Sequence, residues 1–153
     1  MRIREAVSAD AEALSQVLEE LRAAGKRKKA GDPAFVQSHY IAGPGQVRCS
    51  VAEDADGTLL GLQSLKRAWA GNPYDTPVGW GIIGTHIRPS AARRGVGRAL
   101  FAASQEAARQ AGLRQIEAAI GDANAEGLAY YAAMGFETYA QEPGLVRKCF
   151  TLS

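Results

Sequence analysis

Apolar residues recur three and four positions apart at Leu14, Val17, Leu18 and Leu21, which puts them on one stripe of a helix that Gly25 ends. Ser8-Ala9-Asp10 supplies capping residues ahead of that helix, and Ile3 to Val7 reads as a short strand. Asp32-Pro33 opens a second helix through about Ile41, since proline suits a first helical position, and Gly43-Pro44-Gly45 breaks it. Val47 to Glu53 and Thr58 to Ala68 are β-like. The Asp54-Ala55-Asp56-Gly57 segment between them carries hairpin turn chemistry, so the two strands are expected to pair antiparallel.

Val78 to Ile87 predicts a strand stopped by Pro89, and its glycines point to a bulge or a close backbone approach. From Gly95 the period becomes helical, with Val96, Leu100, Ala103, Ala107 and Ala111 on one side and Gly112 as the stop. Leu113 to Ile120 is a strand. Asp122-Ala123-Asn124 offers N-cap candidates for a helix reaching Met134, and Gly135 stands where helices commonly end. Phe136 to Ala140 and Leu145 to Leu152 close the series as strands. The order is β-α-α-β-β-β-α-β-α-β-β. Strand-helix-strand units imply a locally parallel centre and the hairpins imply antiparallel flanks, so an α/β (α+β) fold with a mixed sheet is expected. No repeat or composition shift marks a boundary, and residues 1–153 read as a single domain.

Composition changes this picture little. With 46% hydrophobic and 22% charged residues, the chain is unlike a disordered or fibrous one. The 18 basic and 16 acidic residues leave a formal charge of +2, too small a field to argue for a nucleic-acid partner. Cys49 and Cys149 have no CxxC spacing, so neither a disulfide framework nor a metal site is indicated. No apolar run approaches the roughly 20 residues of a membrane span. Met1-Arg2-Ile3-Arg4 leads directly into folded-looking sequence, and a cytoplasmic protein without a membrane partner is expected.

The chemistry is concentrated between Thr85 and Leu100, where a strand and a short loop lead to Gly95-Val96-Gly97 at a helix start. Amides at a helix N-terminus lack intrahelical partners and carry the positive end of the macrodipole, which makes an anion site where side chains stand clear. Gly95 and Gly97 are expected to give that clearance, and Arg93, Arg94 and Arg98 add charge suited to a pyrophosphate or 3'-phosphate. Leu100 replaces the third glycine of a dinucleotide fingerprint, and the Gly-Lys-[Ser/Thr] of a P-loop is missing.

Ile87-Arg88-Pro89 followed by Gly95-Val96-Gly97 resembles the acyl-CoA-binding segment of the GNAT superfamily of N-acyltransferases, with Ala92 at that pattern's Gln/Arg position. Asn124, Gly127, Tyr131, Gly135 and Phe136 match the spacing of the superfamily's next helix, with Gly127 in place of a small alanine. The resemblance spans about Trp80 to Phe136 and implies one domain built on a mixed sheet of about seven strands with about four helices. It further implies transfer of an acetyl group from acetyl-CoA to a primary amine, without metal. Backbone groups at Thr85 and Ile87 would pair with the pantetheine arm. Amides from about Arg94 to Ala99, Gly97 among them, would hold the pyrophosphate, Asn124 would touch the pantetheine or cysteamine region, and Tyr131, beside the donor, would protonate the leaving thiolate.

The superfamily's base positions fall here on Gly81 and Ile83, which cannot take a proton. His86 and Asp75 are the alternatives, along with ordered water. Strand alternation turns His86 to the face opposite Thr85 and Ile87. Acceptor-site candidates are Phe35, His39 and Tyr40 on the second helix and Trp69, Tyr74 and Asp75 in the loop before the central strand. The acceptor is expected to be a small-molecule or peptide amine, and polyamine, aminoglycoside, amino acid and protein N-terminus all remain open. A homodimer through the terminal strands, and a non-catalytic acyl-CoA-binding module on the same fold, are further readings.

Overall fold

The computed structural model describes residues 1–153. Its strands are β1 (Arg2–Glu5), β2 (Gln46–Glu53), β3 (Leu59–Arg67), β4 (Gly81–Ile87), β5 (Gln115–Gly121), β6 (Glu137–Glu142) and β7 (Leu145–Thr151). The helices are α1 (Ala11–Ala23), α2 (Pro33–Val36), α3 (Val96–Gln110) and α4 (Ala125–Met134), and α2 continues as a wider π-type turn over Gln37–Ile41. Together they form the expected architecture, one seven-stranded mixed sheet in the order β1-β2-β3-β4-β5-β7-β6. Only β4 and β5 run parallel.

The helix stripes cover the two faces of this sheet. Leu14, Val17, Leu18 and Leu21 of α1 bury against Val36, Val51 and Leu62 on one face. On the other, Phe101 and Ala108 of α3 meet Leu65, Ile83, Ile116, Ala118 and Ile120, with Tyr131 and Phe136 closing the cluster. Each large side chain so buried contributes about 1.5–3 kcal/mol.

Two local expectations need correction. The central strand begins at Gly81 rather than Val78, because Pro77 to Trp80 form a turn in which the Trp80 N–H donates to the Pro77 carbonyl (3.1 Å) and Gly79 takes φ +89°. The register between β3 and β4 is unbroken, so β4 carries no bulge; the irregularities lie in the β2–β3 and β6–β7 pairings. The close-approach alternative applies at Gly81, where a Cβ would lie 3.1 Å from Ile116, 3.2 Å from Leu65 and 3.3 Å from Leu113.

Asp10 also differs from the capping role expected of it, since its side chain caps no amide of α1. It accepts two hydrogen bonds from Arg4 (2.8 and 2.9 Å) and one from the Val7 N–H (2.8 Å), tying β1 to the start of α1. The Arg4 guanidinium holds the Asp10 carboxyl below the usual carboxylate range. Asp10→Asn is expected to cost about 1–3 kcal/mol in urea unfolding at pH 7, the range for hydrogen bonds to a charged group. That difference should shrink as pH falls from the ordinary carboxylate pKa toward the lower folded one, because over that range the unfolded chain binds the proton that folded Asp10 does not. A penalty independent of pH would show that the charge is not what matters.

Candidate active site

The β4–β5 pairing is short. It covers Gly81↔Ile116 and Ile82↔Glu117 and then stops, although both strands continue. The Arg88 N–H donates to the Leu60 carbonyl (2.9 Å) and the Ala68 N–H to the Trp80 carbonyl (2.8 Å), so the even-numbered residues of β4 exchange bonds with β3. Thr85 and Ile87 therefore turn their N–H and C=O groups into the opening, where no strand receives them. Buried backbone groups require partners, and a linear, amide-bearing ligand laid in this gap would supply them.

On the α3–α4 side of the sheet the gap leads to a cleft of about 200 Å³ formed by Ile87, Ala91 to Arg93, Gly95 to Arg98, Tyr130 and Met134. Gly95 adopts φ +78° and starts α3 without a side-chain cap. The N–H groups of Val96, Gly97 and Arg98 have no acceptor, whereas that of Ala99 bonds the Gly95 carbonyl (3.1 Å). Arg93, itself at φ +63°, and Arg98 border the cleft, while Arg94 is drawn toward Asp54 (3.4 Å). The expected clearing role of Gly97 is corrected here. A Cβ at Gly97 would lie 2.5 Å from the Tyr130 ring, so its bare side admits Tyr130 rather than phosphate.

Tyr130 and Tyr131 both point inward. The Tyr130 hydroxyl donates to the Gly97 carbonyl (2.7 Å) and so accepts from Gln63 Nε2 (3.0 Å). Ser104 donates to Gln63 Oε1 (2.6 Å), which fixes the amide, and Nε2 also donates to Thr85 Oγ1 (2.9 Å). The Thr85 proton is then free for Tyr131, whose hydroxyl oxygen is 2.8 Å away, and the phenolic hydrogen is left for another acceptor. Burial raises the Tyr131 pKa above its ordinary value, which keeps the phenol protonated. Asn124 is an exposed N-cap; its Oδ1 accepts from the Gly127 N–H (3.0 Å), and a Cβ at residue 127 would come within 2.6 Å of its amide.

On the opposite side of the sheet a pocket of about 180 Å³ lies over the same gap, lined by His39, Tyr40, Ser64, Lys66, Tyr74, Thr76, Ile82 to Gly84, His86, Glu117 and Ala119. His86 faces this side, as strand alternation predicts, and its Nε2 is 3.1 Å from the Tyr40 hydroxyl. Of the acceptor-site candidates, His39, Tyr40 and Tyr74 line the pocket. Phe35 stacks on His39 from behind (4.7 Å), and Trp69 meets the edge of Tyr74 (6.5 Å). Asp75 is exposed and outside the pocket, its backbone turned to φ +61°.

Sequence reading missed Glu117, which is 1% exposed. Its carboxylate accepts from Thr76 (2.7 Å), Arg147 (2.8 Å) and Tyr139, and Arg147 also bonds the Tyr74 carbonyl (3.0 Å) and Glu142. Gln63, Ser64 and Lys66 were missed as well. The available signal was three polar side chains inside the otherwise apolar run from Leu59 to Leu65 and its continuation, and one carboxylate between Ile116 and Ala118. No group of three or more His, Cys, Asp or Glu is placed to hold a metal, and no helix is long and apolar enough to cross a membrane.

Comparison with known proteins agrees with this fold. Residues 12–136 match the model of the Acetyltransferase (GNAT) family. A GCN5-related N-acetyltransferase from Kribbella flavida is 25% identical with a TM-score of 0.78, over 99% of this chain and 97% of that one. The yncA protein of Salmonella typhimurium, solved with its cofactor acetyl-CoA, is 21% identical with a TM-score of 0.73, over 99% and 94% of the two chains. The ribosomal-protein-alanine N-acetyltransferase of Brucella melitensis is 22% identical with a TM-score of 0.74, over 99% and 100%. No curated protein sequence matches.

Both histidines are held neutral. Burial, reinforced by the charges of Lys66, Lys29 and Arg27, lowers His39 to about 4, and burial with Arg27 and His39 lowers His86 to about 3. An unfolded chain would take up these protons near the reference pKa of about 6.5 while the folded protein does not, so stability is full above that value and falls as pH drops toward 4. His86→Gln is expected to flatten the fall in Tm between pH 7 and pH 4.5. An unchanged slope would mean that His86 titrates normally in the folded state.

Proposed function

The chain belongs to the GNAT family of acetyltransferases, and we propose on that premise that it transfers an acetyl group from acetyl-CoA directly to a primary amine of a small molecule or peptide. The observation that carries the reading is the opening between β4 and β5, with free helix amides and arginines at one mouth and a polar pocket at the other. The donor's phosphates suit the amides of Val96 to Arg98 with Arg93 and Arg98, and its pantetheine amides suit the unpaired backbone of Thr85 and Ile87. A thioester laid along that edge lies between Tyr131 and the opposite pocket.

Acetyl-CoA supplies an activated acyl carbon. A neutral amine entering from the Glu117 side forms the new C–N bond, and the C–S bond breaks with its electron pair on sulfur. Tyr131 gives that sulfur its proton, and the Thr85 hydroxyl, oriented by Gln63, stabilises the phenolate until the proton shed by the newly acylated nitrogen restores the phenol through water. Neither Glu117 nor the two pocket histidines are suited to deprotonate the ammonium. Glu117 already accepts three hydrogen bonds, and protonated His86 is too strong an acid to form at neutral pH. The proton therefore leaves through water to solvent.

Acetyl-CoA is expected to raise Tm by mass action. Tyr131→Phe should lower kcat by roughly one to three orders of magnitude with little change in acetyl-CoA affinity, as for an acid acting in the transition state. No Tm shift at millimolar ligand would refute the donor assignment, and binding without thiol release on any amine would leave an acyl-CoA-binding module.

His86→Ala is expected to keep at least about a tenth of wild-type kcat/KM, since direct general-base catalysis is worth about 10²–10⁴. The pH profile of kcat/KM should climb toward the acceptor's own pKa without an inflection near about 6.5. A hundredfold loss on a folded variant would make His86 the base.

A further inference from the structure

Building on the acetyltransfer reading, we propose that the acceptor is a small amine that carries an anionic group, received by the Lys66 ammonium and the Ser64 hydroxyl on the β3 side of the pocket. Ser64 and Lys66 alternate along β3 onto the same face, and each is 4% exposed. Ser64 Oγ is buried without a hydrogen-bond partner. Lys66 Nζ makes no ion pair. A buried hydroxyl is costly to leave without a partner, an ammonium on a residue so little exposed gains from an ion pair, and the oxygens of one anionic group would serve both.

The surroundings have the same sign. Arg27 and Lys29 sit over the Phe35 ring behind the pocket, neither in an ion pair; Arg27 donates to the Tyr40 hydroxyl (3.3 Å) and its Nη2 is buried without an acceptor, and their charges act on His39, Lys66 and His86. Glu117 is the one carboxylate lining the pocket, and Arg147 already neutralises it. Cationic charge therefore outweighs anionic charge in this cavity. Burial and the nearby Lys29 pull the Lys66 pKa below its ordinary value, and an anion in contact would restore the charged form.

Geometry limits the size of the acceptor. Ser64 pairs with Gly84 and Lys66 with Ile82, on the strand that borders the gap. A Cβ at Gly84 would meet nothing nearer than His86 Nε2 at 4.0 Å, so the floor between Ser64 and the gap is open. An amine at the gap, beyond β4, lies between one and two inter-strand spacings, ~5–10 Å, from the Ser64 wall. Amine and anion are therefore separated by a few bonds, as in a small amino acid or an aminoalkyl phosphonate, and a pocket of about 180 Å³ admits a molecule of that size. A polyamine would bring a second cation to Lys66, and a protein N-terminus would bring no anion.

The test is thiol release from acetyl-CoA with matched acceptors: γ-aminobutyrate against n-butylamine, L-methionine against methioninamide, and 2-aminoethylphosphonate against ethanolamine, with spermidine and an alanine-terminated peptide alongside. The anionic member of at least one pair should lead by about tenfold or more in kcat/KM, and Lys66→Met should cut its value by about a hundredfold while leaving the uncharged partner within about threefold. Ser64→Ala should shift the same ratio in the same direction. Better turnover of uncharged amines, spermidine or peptide would overturn the proposal, as would equal losses for both members in Lys66→Met. The wild-type panel decides alone if that variant does not fold. Binding of acetyl-CoA by calorimetry with no thiol release from any amine would instead refute acetyl transfer itself, which is distinguishable from amines reacting without regard to charge.

Discussion

The sheet is held as two halves by packing where it is not held by hydrogen bonds. β3 and β4 share seven paired positions and β5 and β7 share seven, yet β4 and β5 share only two. What keeps the halves together is the cluster in which Leu65 and Ile83 from one side meet Ile116, Ala118 and Ile120 from the other under Phe101. Apolar burial is non-directional, so it can join two strands without requiring their backbones to pair. That freedom leaves the Thr85–Ile87 edge open, and the cleft beside α3 and the pocket on the opposite face take their positions from that opening.

The polar chain through Gln63 extends this constraint to the helices. A fully buried glutamine links Ser104 on α3, Thr85 on β4 and Tyr130 on α4. A half-satisfied network in such a place would be costly, so the helix that carries Tyr131 and the helix that offers its amides are registered against the same strand. The hydrogen-bond directions follow from one carbonyl, that of Gly97, which cannot donate.

The elements were legible in sequence because their periodicity reports burial, and the parallel centre followed from the strand-helix-strand order. The start of α3 was legible too, since Gly95 and the arginines announce an anion site locally. The pocket was not. Glu117, Ser64, Lys66 and Arg147 lie on three strands spanned by three pairings, and each alone resembles the solvent face of an alternating strand. Their convergence depends on register, which no single segment encodes. Asp75 shows the reverse error: a carboxylate between two residues that do line the site, Tyr74 and Thr76, turned outward by its own backbone. Gly97 was singled out for its position, but its reason is the ring of Tyr130, a contact across 33 residues.

β7 lies between β5 and β6 although it follows both along the chain. β6 has no other strand neighbour, and Glu117 has no other cation. β6 therefore joins the sheet only through β7, and the β5 carboxylate meets its cation only where β7 is in place. The segment from Leu145 to Thr151 at once completes the sheet, delivers Arg147 and ties in the Tyr74 loop. The pocket over the gap thus depends on one inserted strand, a dependence that the helix start at Gly95 does not share.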